Sequence, residues 1–182
     1  MFEQPLVLDA STLLNLLATG EVETILRCVA VPRIVCTIVE LEVLHLRNKD
    51  LAKPPDPVSV KPLIDAGVLT SASLQSPGED LLFVQLASAL DDGEAMSLAL
   101  CISRNYALAT DDRKARTIAA TLSVPLIASS ELLLNWMNKS GIECDRVRSA
   151  LRLIGSRARF RPWRGYPEQK WWEDMVSVPG AS

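Results

Sequence analysis

The chain is short of histidine: His45 is the only one in 182 residues. That excludes a His/Cys zinc site, and Cys28, Cys36, Cys101 and Cys144 form no Cys-x-x-Cys pair. All four cysteines sit in apolar stretches and are expected as buried, reduced thiols. His45 lies in the apolar run LEVLHLR, where it reads as structural, which leaves a Ser-His-Asp triad without its base. No G-x-x-x-x-G-K-[ST] loop occurs, so a P-loop NTPase is excluded. Long uncharged runs are missing too. The longest, Thr117 to Ser130, is broken at Ser123-Val124-Pro125 and is too short to span a bilayer, so no membrane partner is expected. The opening MFEQPLVLDAS has neither a basic n-region nor a cleavage site of signal type. A soluble cytoplasmic protein is the expectation.

What is present is apolar material. Hydrophobic residues make up 48% and charged residues 23%, enough for a sizeable core and against a disordered chain. The length suits one domain with a short appendage. Strands are expected at 5–9, 31–36, 68–74, 106–110 and 124–127. Helices are expected from Ser11 (as N-cap) to Gly20, and over 21–29, 37–47, 79–90, 91–104, 111–122, 130–139 and 144–155. The polar, proline-rich 48–62 stretch reads as a loop, and periodicity stops past 156. Short apolar strands alternating with helices indicate an α/β fold with a mostly parallel central sheet between helical layers. The boundaries expected are a domain over 1–142 and a C-terminal helix and tail over 143–182.

In such a sheet, chemistry collects at the carboxyl ends of the strands. Asp9 ends the first strand, and Asp111 and Asp112 end the YALAT strand. Glu40 follows the VPRIVC segment, and Glu94 opens the 91–104 helix. Carboxylates brought together repel unless a cation neutralises them, and hard oxygen ligands suit Mg²⁺ or Mn²⁺. Metal-dependent phosphodiester hydrolysis is the reaction such a group serves. Each acid also has a structural reading. Asp91 to Glu94 fits a capping box, Asp111 and Asp112 complement a helix dipole, and Glu40 fits a solvated face. Asp9 is the hardest to explain this way, because an acid ending a buried strand needs a partner.

The segments LVLDASTLLNLL, TIVELEVL, DDGEAMSLALCISRN and ALATDDRKARTIAATLSVPLI resemble a PIN domain, and most of all the branch containing VapC-type toxins. The resemblance covers about residues 5–140. It implies a Rossmann-like α/β/α sandwich and a Mg²⁺- or Mn²⁺-dependent ribonuclease acting on single-stranded RNA. By position it implies Asp9, Glu40, Glu94 and Asp111 as catalytic acids, and Asp9, Glu94, Asp111 and Asp112 as metal ligands. Ser11 matches the small hydroxyl residue two places after the first acid. Many relatives carry aspartate at the position of Glu94. Glu42 is an alternative to Glu40, and Asp111 and Asp112 remain alternatives as primary ligand. The family also implies a homodimer and, in a toxin–antitoxin pair, an antitoxin or other protein partner. A catalytically inactive PIN-like module that binds RNA or a protein is the rival reading.

The net charge of −3 hides an uneven distribution. Residues 146–170 hold eight Lys/Arg against the single acid Glu168, while the rest of the chain is strongly acidic. Arg113, Lys114 and Arg116 flank the acids and are candidate phosphate contacts, with an exposed basic helix face as the plain alternative. Arg148 and Arg152 share a side of the 144–155 helix. Arg159, Arg161 and Arg164 alternate with Phe160, Trp163 and Tyr166, the composition of a single-stranded RNA contact. The same aromatics fit packing back on the domain or burying an interface.

Overall fold

Three aliphatic residues between Pro5 and Asp9 make the strand β1 (Leu6–Leu8), buried along its whole length. The computed structural model describes residues 3–42, 44–48, 50 and 52–177. After β1 come α1 (Ala10–Thr19) and α2 (Val22–Arg27), separated by Gly20, whose φ of 75° needs the left-handed region. Then follow β2 (Arg33–Cys36), α3 (Thr37–Leu41), β3 (Leu44–Leu46), β4 (Asp56–Val58), α4 (Lys61–Asp65) and β5 (Thr70–Ala72). The second half holds α5 (Pro77–Ala87), α6 (Asp92–Arg104), β6 (Ala107–Ala109), α7 (Arg113–Thr121), β7 (Leu126–Ile127) and α8 (Ser129–Ser140). The chain ends in α9 (Cys144–Leu153), a π-helical turn Ile154–Ala158 and α10 (Gln169–Ser177).

The main sheet has the order β5-β2-β1-β6-β7, and every pairing in it is parallel. Side chains alternate across it. Leu6 and Leu8 face one layer with Leu13, Leu16, Leu132 and Trp136, while Val7 and Leu108 face Leu98, Cys101 and Ala115. This is a three-layer α/β/α sandwich. No helix among the described residues is long and apolar enough to cross a membrane.

Several local expectations change. Asp9, not Ser11, is the N-cap of α1, accepting the Thr12 N–H at 2.8 Å. The helix expected over 37–47 stops at Leu41, and the chain turns into β3, which pairs antiparallel with β4 inside the expected loop. In β3, Leu44 and Leu46 are buried and His45 is exposed, a period of two that a helix cannot satisfy. Of the cysteines, Cys36 and Cys101 are buried, whereas Cys28 is half-buried and Cys144 exposed; all four are free.

The segment beyond 142 shares the core of the sandwich. Val147, Ala150, Leu151 and Ile154 of α9 and its turn pack in one cluster with Leu13, Leu16 and Trp172. Phe160 lies 5.3 Å from Tyr166 and 5.8 Å from Trp172, centroid to centroid, and Tyr166 and Trp172 are buried. These rings pack back on the domain. Arg157 pairs with Asp56 at 2.8 Å and ties the turn to β4. If α9 is core, Leu151→Ala costs about 2–5 kcal/mol in urea unfolding; a loss under about 0.5 kcal/mol contradicts this packing.

Candidate active site

β1 and β6 run side by side with Leu8 opposite Ala109, and the Asp9 N–H donates to the Ala109 carbonyl at 3.0 Å. The chain therefore leaves both strands at one edge, and this neighbouring exit places Asp9 and Asp111 together. Both are buried, with 1% and 4% exposure. Ser11 Oγ joins them. It lies 2.9 and 3.0 Å from the two Asp9 carboxylate oxygens and accepts the Asp111 N–H at 2.9 Å. Burial pushes the Asp9 carboxyl from 3.8 up to about 7, and the Asp111 charge adds to the rise. Hydrogen bonds from Thr110, Thr12 and Ser11 oppose it.

Asp111 is held from three further sides. Asn15 Nδ2 donates to Oδ2 at 2.7 Å, and the Ser129 N–H donates to Oδ1 at 3.0 Å. The Tyr166 hydroxyl donates to Oδ1 at 2.5 Å, and burial beside Asp111 raises the phenol well above its ordinary range. Asn15 and Ser129 are not among the residues the sequence singles out, and Tyr166 is there only as part of an aromatic RNA contact, not as a partner of Asp111. For Asn15 the signal is a polar side chain within the apolar stripe of α1; for Ser129 and Tyr166 no local pattern announces the contact.

A second acidic group stands at the start of α6. Asp91 is its N-cap, accepting the Glu94 N–H at 2.8 Å. That is half of a capping box; among the described residues the Glu94 carboxylate returns no such bond. Glu94 is half-buried, and its carboxyl is pushed up to about 7 by burial and by Asp91 and Asp112, with Lys114 partly offsetting them. Glu42 belongs here as well. Burial and the Asp91 charge raise its carboxyl, and its Oε1 would stand 2.7 Å from a Cβ at position 93, a space that Gly93 leaves open. Glu40 points elsewhere: its carboxylate accepts the Ser71 hydroxyl on β5. Helical periodicity puts Glu40 and Glu42 on different faces, in keeping with their different partners, and the chain leaves the helix after Glu42, whose ψ is 133°.

Asp111 and Asp112 divide the labour. Asp111 is the buried partner of Asp9. Asp112 is the N-cap of α7, accepting the Lys114 and Ala115 N–H groups at 2.8 Å, while its charge reaches Glu94. Two acidic groups thus stand at the carboxyl end of the sheet, Asp9 with Asp111, and Glu94 with Asp112, Asp91 and Glu42. Among the described residues no three His, Cys, Asp or Glu side chains already form a metal-holding cluster. The donor chemistry nonetheless fits a hard divalent cation. Asp9 and Glu94 are oxygen donors whose ionised forms are disfavoured first by burial and then by neighbouring negative charge, and a bound cation would offset both.

The basic residues fall into distinct settings. Arg113 and Lys114 are exposed at the start of α7, beside the acids. Arg116 is half-buried in α7. Its Nη1 donates to the carbonyls of Thr110 at 2.8 Å and Ile127 at 3.0 Å, clamping the ends of β6 and β7. Arg148 pairs with Asp145 at 2.6 Å, which ties down its guanidinium. Arg152, Arg159, Arg161 and Arg164 are exposed on α9 and the segment after it. A cavity of about 600 Å³ lies between α7 and this segment, lined by Arg113, Arg116, Leu126, Trp163, Gly165 and Pro167.

A family model, DUF3368, described as a PIN domain, matches residues 5–163. No curated protein and no solved structure matches the chain.

The raised Asp9 carboxyl makes stability depend on pH in a stated direction. Between about 4 and about 7 the folded chain holds a proton that the unfolded chain releases, so this contribution is lost as pH rises through about 7. With a chelator present, the melting temperature should fall from pH 5 to pH 8, and Asp9→Asn should flatten that fall. Mg²⁺ or Mn²⁺ should raise the melting temperature more at the higher pH. A wild-type profile no steeper than that of Asp9→Asn contradicts the assignment.

Proposed function

The chain belongs to the PIN-domain family, whose members are generally nucleases, and on that premise we propose that it is a metal-dependent endoribonuclease acting on single-stranded RNA. The observation that carries this reading is the pair of buried carboxylates, Asp9 and Asp111, at adjacent parallel strand ends and bridged by Ser11. Asp9 and Asp111, with Glu94 and Asp112 at the mouth, would hold Mg²⁺ or Mn²⁺. A cation bound there polarises a phosphate and activates water.

The remaining work belongs to the chain itself. Asn15, Ser129 and Tyr166 fix the Asp111 carboxylate in position by donating to it. Ser11 keeps the two aspartates in register. Glu94, half-buried beside Asp112 and Asp91, supplies the carboxylate at the mouth of the edge. Arg113 and Lys114 supply positive charge beside the acids to hold the RNA backbone. Glu42 replaces Glu40 in this reading, because it is the one of the two that faces Asp91 and Gly93. A cytoplasmic setting, a toxin role restrained by an antitoxin, and a homodimeric state extend the proposal through the family resemblance.

One observation favours the rival, a PIN-like module that binds without cutting: the acids are not gathered into a ready three-ligand cluster among the described residues. Purified protein incubated with end-labelled single-stranded RNA separates the two. Mg²⁺ or Mn²⁺ should give internal cleavage, EDTA should abolish it, and Asp9→Asn or Asp111→Asn should lower the rate by about two orders of magnitude or more. Cleavage that persists unchanged in EDTA or in Asp9→Asn overturns the mechanism. RNA binding with no cleavage in either metal favours the module.

A further inference from the structure

The segment that delivers Tyr166 to Asp111 also walls the cavity beside α7. Its volume of about 600 Å³ falls within the range of small-ligand sites. It is open to solvent, and its lining combines the apolar Leu126 and Ala120 with the cationic Arg113 and Arg116. Arg116 is fixed by its two carbonyl bonds, whereas Arg113 is exposed and makes no ion pair among the described residues. Another part of the lining is the Trp163 indole. It does not swing freely: Tyr166 meets it edge-on at 4.7 Å and Phe160 at 6.1 Å, centroid to centroid. A fixed indole, apolar lining residues and cationic side chains match a nucleotide's flat base and charged phosphate.

The cavity also adjoins the acids. Asp112 immediately precedes Arg113, and Tyr166 sits between the lining residues Gly165 and Pro167 while its hydroxyl reaches Asp111. An RNA strand with one phosphate at the acid pair would have this cavity beside it, because Arg113 follows Asp112 directly and Gly165 and Pro167 flank Tyr166. We propose that the cavity is a subsite for one nucleotide of the single-stranded RNA, with the base against Trp163 and the phosphate on Arg113. The proposal rests on the ribonuclease reading, and its test keeps the two apart.

The test measures binding without cleavage. Asp9→Asn protein in EDTA is titrated into a short fluorescein-labelled oligouridylate and followed by anisotropy. Adding Trp163→Ala or Arg113→Ala should weaken binding about tenfold, and Trp163→Phe should retain most of the affinity. Arg27→Ala, which removes the same charge from α2, should change it less than about twofold. Affinities within about twofold of the parent for both Trp163→Ala and Arg113→Ala overturn the proposal. If Trp163→Ala melts before the assay temperature, Arg113→Glu on the exposed start of α7 decides alone, by the same criterion. Parallel cleavage assays use the wild-type chain with Mn²⁺. Binding that depends on Trp163 and Arg113 without wild-type cleavage supports the subsite while removing the nuclease reading. Wild-type cleavage with indifferent binding removes the subsite and leaves the nuclease reading standing.

Discussion

Two carboxylates end adjacent strands in the middle of a parallel sheet, and much of the molecule is arranged around them. Buried charge is costly without compensation. The compensation for Asp9 and Asp111 comes from scattered places: Ser11 and Asn15 from α1, Ser129 from the start of α8, and Tyr166 from near the end of the chain. These donors orient the acids but supply no full positive charge, so Asp9 remains reluctant to ionise. A sandwich that only had to be stable would place leucine or threonine here. The polar donors around Asp111 are what a binding edge requires.

The same residues do structural and chemical work, which is why single-residue readings of the acids stayed ambiguous. Asp9 caps α1, Asp91 caps α6 and Asp112 caps α7. In a doubly wound fold every strand end is followed by a helix start, so an acid at a strand's carboxyl end meets free N–H groups of the next helix. Capping and metal binding are therefore compatible uses of one carboxylate. Asp9 shows both uses at once, capping α1 while its burial keeps the carboxyl reluctant to ionise, and Asp112 caps α7 while standing beside Glu94.

The layered fold was legible because strands and helices alternate in short, well-punctuated segments, and Asp9 and Asp111 were legible as strand-terminal acids. Three features were hidden for physical reasons. TIVELEVLHLR satisfies a helical stripe as well as a strand alternation, and the choice of β3 depends on pairing with β4, a contact the local text does not contain. The helix α10 was missed although Trp172, Met175 and Val176 carry helical spacing, because arginines and prolines before it broke the pattern. Tyr166 looked like part of an RNA-stacking surface, since composition shows that a ring is present but not which way it faces.

The bond from Tyr166 to Asp111 spans 55 positions of sequence, and Tyr166 lies near the C-terminal end of the chain. A ribosome making this protein has released both aspartates, Ser11 and Asn15 long before Tyr166 emerges. The nascent chain can pair its strands early, but the hydrogen-bonded shell of Asp111 closes only once Tyr166 has emerged, behind every strand of the sheet. The acid edge therefore matures later than the sheet that carries it.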